Sequence, residues 1–138
     1  MLHVVVDAAN VIGSRPDGWW RDRPGAARRL AGRLVAALGA DDDGLLARGL
    51  GRPADQPLRL HLVLEGAARV PDPPTHARLD VVLAPADGDT AIVELTGNLV
   101  DAGEQVVIVT ADRGLRARVE AVGATVVGPG TLLRALPG

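Results

Sequence analysis

Four apolar runs of the sequence are each followed by an acid. Asp7 follows residues 2–6, Glu65 follows residues 58–64, the turn PADGD with Asp87 and Asp89 follows residues 79–84, and Asp112 follows residues 105–110. A lone carboxylate at such a place is often only a helix cap, and capping is a complete local account of Asp89 and Asp112. Four in succession imply more. Carboxylates brought together repel unless they share protons or hold a cation. The chain has no Cys and three His, so the available donors are hard oxygens, suited to Mg²⁺ or Mn²⁺. Such an ion lowers the pKa of bound water and neutralises charge developing on a phosphoryl group. Phosphodiester hydrolysis is the expected chemistry. Asn10, three residues beyond Asp7, has an amide able to bind phosphate or a metal-bound water, or to fix the Asp7 carboxylate. As a turn former it needs no such role.

The elements that must position these groups follow from hydrophobic pattern. Residues 2–6, 58–64, 79–84, 105–110 and 124–127 are continuous apolar, β-branched runs, the mark of parallel strands covered on both faces. Helical patterns lie between them. After Asp22 and Pro24, Leu30, Leu34 and Leu38 form a stripe that ends at Gly39, with Arg28, Arg29 and Arg33 off it. A second helix is expected from Asp89, turning Ile92, Leu95, Thr96 and Leu99 inward and Glu94 outward. A third begins at Asp112 and buries Leu115, Val119 and Val122, and residues 129–136 can form a short last one. The segments GADDDGLLARGLGRPADQP and GAARVPDPPTHA read as loops, with one helical turn around residues 45–50.

Strands alternating with helices predict an α/β fold, a three-layer α/β/α sandwich around a mainly parallel five-stranded sheet. In the order 3-2-1-4-5 the first, second and fourth strands are neighbours about 4.8 Å apart, and Asp7, Glu65 and Asp112 meet at one edge. Ligands of such sheets bind there, beyond the carboxyl ends of the strands. The 138 residues make one domain.

The net charge of -2 hides an uneven distribution. Arg15, Arg21, Arg23, Arg28, Arg29 and Arg33 crowd the first quarter, whereas no basic residue occurs between Leu79 and Asp112. A basic lobe beside an acidic pocket suits a metal enzyme with a polyanionic substrate. All the basic side chains except His are Arg, in a chain rich in Ala, Gly and Leu, which reflects codon composition rather than function. The absence of Cys and of any long apolar run fits a soluble cytoplasmic protein with no membrane segment.

The segments VVVDAANVI, LVLEG, GDTAIVEL and VIVTADRGL resemble, in order, the motifs of the PIN-like nuclease superfamily in its NYN or YacP-like branch. The likeness spans nearly the whole chain. It implies metal-ligand or catalytic roles for Asp7, Glu65, Asp89 and Asp112, with Asn10 assisting, Mg²⁺ or Mn²⁺ as cofactor, and single-stranded or structured RNA as substrate. A homodimer is among the partners it allows. Glu65 stands where the family has Asp, Thr90 replaces the second acid of a pair, and Ala9 replaces an aromatic residue. Asp87 is placed to compensate as a metal ligand.

The only aromatic residues besides His, Trp19 and Trp20, lie between Arg15 and Arg21, as if to stack on bases while Arg meets phosphates. The alternative is one Trp packed over the sheet edge with its neighbour exposed. Arg113 can pair with a phosphate or remain solvated. His3 and His61 read as packing residues, and His76 as a loop residue. The chain also resembles small bacterial proteins labelled NTP pyrophosphohydrolases, whose phosphoanhydride chemistry the same acids can serve. A haloacid-dehalogenase-like phosphatase needs a second Asp where Ala9 stands, and a Nudix or MazG-type enzyme needs clustered Glu, while Glu65, Glu94, Glu104 and Glu120 are dispersed. A non-catalytic RNA-binding or protein-interaction module is the alternative from another class.

Overall fold

Strand β1 (Leu2–Asp7) is buried along its whole length, as its β-branched run demands, and lies at the centre of the sheet. The computed structural model describes residues 1–40, 44–70 and 72–137. Residues 41–43 and Pro71, which belong to the two segments read above as loops, and Gly138 lie outside them. Strands β2 (Leu58–Leu64), β3 (Leu79–Leu83), β4 (Gln105–Val109) and β5 (Thr125–Val127) join β1 in an all-parallel sheet of order β3-β2-β1-β4-β5. This is the expected order, and it brings the ends of β1, β2 and β4 side by side.

Alternation along the strands feeds two cores, which makes the fold three-layered. Leu2, Val4 and Val6 face helices α1 (Ala8–Gly13), α2 (Arg23–Gly39), α3 (Leu45–Gly49) and α6 (Pro129–Ala135) with Leu60, Leu62 and Leu64. Val5, Val63, Val106 and Ile108 face α4 (Gly88–Asp101) and α5 (Arg113–Ala121). Helix α2 forms as its sequence dictates: Asp22 accepts the Gly25 N–H at 3.0 Å, proline enters the first turn, and Leu30, Leu34 and Leu38 are buried. Helix α5 stops where Gly123 takes φ 106°, a left-handed value that favours glycine.

Three expectations are corrected. The connection after β1 is the six-residue helix α1, so Asn10 is helical rather than a turn residue. The cap of α4 is Asp87, whose carboxylate accepts the Thr90 N–H at 2.7 Å, and Asp89 lies within the first turn. Val122 is 39 % exposed because the chain leaves α5 there, so it does not join Leu115 and Val119 in the core.

At the amino ends of the strands a polar row crosses the sheet. His3 Nδ1 and His61 Nε2 lie 2.8 Å apart, both rings buried and stacked, with Glu104 beyond His3 and Asp80 beyond His61. Arg59 holds Asp80 through two 2.8 Å bonds. This end lies opposite the strand-end acids. Among the described residues no helix is long and apolar enough to cross a membrane.

Candidate active site

Asp7 closes β1 and caps α1, and the residue is 7 % exposed. Its Oδ1 accepts the Asn10 N–H at 3.4 Å and its Oδ2 the Thr110 hydroxyl at 2.9 Å. The register between β1 and β4 dictates the second bond: Val6 opposes Val109, so the next positions, Asp7 and Thr110, stand side by side. Burial pushes the Asp7 carboxyl above its ordinary range, the hydrogen bonds from Thr110 and Asn10 resist this, and the nearby charges of Asp89 and Glu65 add to it.

Asn10 does not point at solvent. Its Oδ1 accepts the Ala111 N–H at 2.7 Å, stitching the start of α1 to the loop after β4. Thr110 Oγ1 accepts the Asp112 N–H at 3.1 Å, and Asp112 in turn caps α5 by accepting the Leu115 N–H at 2.9 Å. Glu65 leaves β2 and reaches across to accept the Gly88 N–H, which fixes it against the first turn of α4. Gly88 permits this contact, since a Cβ there would lie 3.1 Å from Glu65 Oε2.

Asp89 is different. It makes no hydrogen bond or ion pair among the described residues, and its carboxyl is raised by partial burial and then by the charges of Asp112, Asp87 and Glu65, with Arg118 opposing. The exposed Asp87 is lowered by its bonds from the Thr90 N–H and hydroxyl.

Asp7, Glu65, Asp89 and Asp112 therefore share one electrostatic neighbourhood at the carboxyl edge of the sheet. They do not share one coordination shell: among the described residues no three acidic or His side chains stand close enough to hold a metal ion. Glu65 and Asp112 each accept a backbone N–H and Asp7 accepts from two donors, whereas Asp89 accepts none among the described residues.

A cleft of about 150 Å³ opens beside Glu65, walled by Ala9, Ile12, Trp19, Arg23 and Ala68. Trp19 and Trp20 lie on a 3₁₀ turn (Trp19–Arg21) and meet edge to face at 5.9 Å. The Arg23 guanidinium sits 5.4 Å over Trp19 and that of Arg21 5.8 Å over Trp20, which is 50 % exposed. Trp19 is half-buried beside Glu65, and Trp20 is open. Arg113 is exposed at the first turn of α5. Arg15 lies apart from these residues, on a second cavity between α1, α2 and α6.

Residues that the sequence did not single out complete the arrangement. Thr110 reads as one more strand former, and only the β1–β4 register marks it as a donor to Asp7. Gly88 stands inside GDTAIVEL only as a neighbour of the acids, and Arg23 only as one of a crowd of arginines.

The fold has known counterparts. Two crystal structures of Rae1 (YacP) from Bacillus subtilis, one of them of a point mutant, superpose with TM-scores of 0.70 and 0.69 at 20 % and 21 % identity. Each covers 97 % of this chain, which spans 72 % and 74 % of theirs. No protein-family model and no curated protein matches the chain.

Proposed function

We propose that the chain is a metal-dependent ribonuclease that hydrolyses RNA phosphodiester bonds at Asp7, Glu65, Asp89 and Asp112. The observation that carries this reading is Asp7, a carboxylate held by two donors whose proton affinity is pushed upward by burial and further by the charges of Asp89 and Glu65. A fold built only for stability gains nothing from such a concentration of like charge. The donors suit Mg²⁺ or Mn²⁺ in kind, being all carboxylate oxygen, and Asp89 is free to turn towards an ion. Bound there, the ion would supply an activated water and offset charge on the phosphoryl group. The chain's own residues do the rest: Thr110 and Asn10 hold Asp7 and the loop of Asp112 in place, while Arg21, Arg23 and Arg113 meet phosphates. Trp19 and Trp20 offer faces for unpaired bases. The YacP-type motifs and the likeness to the Rae1 (YacP) structures agree with this reading.

The test is a Mn²⁺ titration of the wild type and Asp7→Asn, following metal binding and cleavage of a labelled single-stranded RNA. Asn keeps one side-chain oxygen to cap α1, and its amide nitrogen can donate to the Thr110 hydroxyl, so the fold survives the change. Metal-dependent cleavage by the wild type, reduced at least about 100-fold in the variant, supports the proposal. Hydrolysis of free NTPs but not RNA would make the protein a pyrophosphohydrolase, and RNA binding without turnover a binding module.

A further inference from the structure

The second cavity has a composition that the acidic edge does not explain. It measures about 220 Å³ and lies between α1, α2 and α6, with Arg15, Arg29 and Arg33 on its walls against a single acid, Asp17. Arg29 and Arg33 are one helical turn apart on α2, the spacing that places two side chains on one face. Leu30 and Leu133 form an apolar wall between them.

The arginines are poorly satisfied within the protein. Arg33 donates only a 3.5 Å bond from Nη2 to the Leu133 carbonyl, and its Nε is shielded from water with no partner. Arg15 and Arg29 have no hydrogen bond or ion pair among the described residues. Proteins leave few buried donors unpaired, and those that remain call for an explanation. Three guanidinium groups, those of Arg15 and Arg29 exposed and without a protein partner among the described residues, beside apolar carbon form a receptor for a phosphate attached to something flat or apolar.

Size decides between a free molecule and a chain. Pockets that engulf a whole drug-sized ligand run to about 300–1,000 Å³. This one is smaller and admits a phosphate with part of its nucleoside, an arrangement that suits a unit held also by its neighbours. Ile12 lines this cavity and also the cleft of Trp19 and Glu65, so the two share a wall. A strand lying across the acidic edge can continue over Ile12 into the arginine pocket.

We propose that this pocket grips one nucleotide of a single-stranded RNA, its phosphate on Arg29, Arg33 and Arg15 and its sugar or base against Leu30 and Leu133, away from the carboxylates. The proposal rests on the ribonuclease reading above and gives these arginines a positioning role outside the chemistry.

The test uses the full chain, with a fluorescein-labelled 12-nucleotide RNA in metal-free buffer for binding and the same RNA with Mn²⁺ for turnover. Arg29→Gln changes an exposed residue and keeps the wild-type melting temperature. It should weaken RNA binding about fivefold or more, lower the salt dependence by about one counterion, and raise KM while leaving kcat in place. In the wild type, the ¹⁵N resonance of Arg33 Nε should shift on RNA addition. Unchanged affinity and salt slope in Arg29→Gln, with no shift at Arg33, would overturn the proposal. Uridine monophosphate displacing the RNA from Arg33 at equal concentration would overturn it in favour of a free nucleotide. If no RNA is cleaved but Arg29→Gln still loses RNA binding, the ribonuclease reading fails and the pocket stands.

Discussion

The Thr110 hydroxyl donates to Asp7 Oδ2 at 2.9 Å and is itself the acceptor for the Asp112 N–H, so one side chain joins two of the four acids. Thr110→Val preserves shape and removes both bonds. It leaves a buried carboxylate oxygen without its donor, a loss of about 1–3 kcal/mol. Urea denaturation should register that loss, and RNA cleavage should fall by roughly 10- to 100-fold as Asp7 and Asp112 lose their common support. Thr110→Ser should restore most of both. A Val variant with wild-type stability and turnover would show that the bridge is incidental.

Gly88→Ala separates position from stability. The backbone of Gly88 is ordinary helix, so alanine is welcome to α4, yet its Cβ would stand 3.1 Å from Glu65 Oε2 and 3.4 Å from Glu65 Cδ. Glu65 must move by a few tenths of an ångström. We expect a melting temperature within about 2 °C of wild type and a clear drop in kcat with KM little changed. If kcat is unaffected, Glu65 does not need its present place.

The sheet was legible in the sequence because five buried parallel strands are uninterrupted apolar runs, and an order that put acids side by side was the one that gave them a common purpose. The meeting of Asp7, Glu65 and Asp112 at one edge follows from that order alone. Their spacing does not, since it depends on which oxygens go to the N–H groups of Asn10, Gly88 and Leu115. Helix α1 was hidden because AANVIG is too short to show a period, and the cap of α4 was misplaced by two residues because Asp87 and Asp89 are equally good caps by type. Arg33 looked like one more surface cation on the polar side of α2, and only the approach of Leu133 from α6 shelters it.

The stability of the fold should depend on pH through the histidine pair. Burial, and then the charge of His3, push His61 down to about 4 from 6.5, and burial lowers His3 despite Glu104. As pH falls through 6.5 the unfolded imidazole takes up a proton that the folded one refuses, so stability declines until pH approaches about 4 and is flat below. The loss attributable to His61 is at most about 3 kcal/mol. Asp7 and Asp89, raised in the fold, act in the opposite sense at acid pH, so the measurement is the difference between wild type and His61→Gln across pH 4 to 7. That difference should grow with pH over this range; a constant difference would mean that His61 does not titrate as described.

Trp20 gives a clean measure of base stacking because half of it is already exposed. Trp20→Ala should leave the melting temperature within about 3 °C of wild type and weaken single-stranded RNA binding by about 1–3 kcal/mol, the worth of one stacked base. Duplex RNA, whose bases are not free to stack, should bind both proteins alike. Equal loss for single strand and duplex would mean that the indole contributes surface rather than stacking.

The bond from Thr110 to Asp7 spans 103 positions of the chain, and that from Ala111 to Asn10 spans 101. A polypeptide under synthesis exposes Asp7 long before either donor has been made. A nascent protein that already holds β1, β2 and β3 still lacks the groups that fix the Asp7 carboxylate and carry Asp112. On the ribonuclease reading proposed above, the site stays incomplete beside the message being translated until Thr110 and Asp112 have been made.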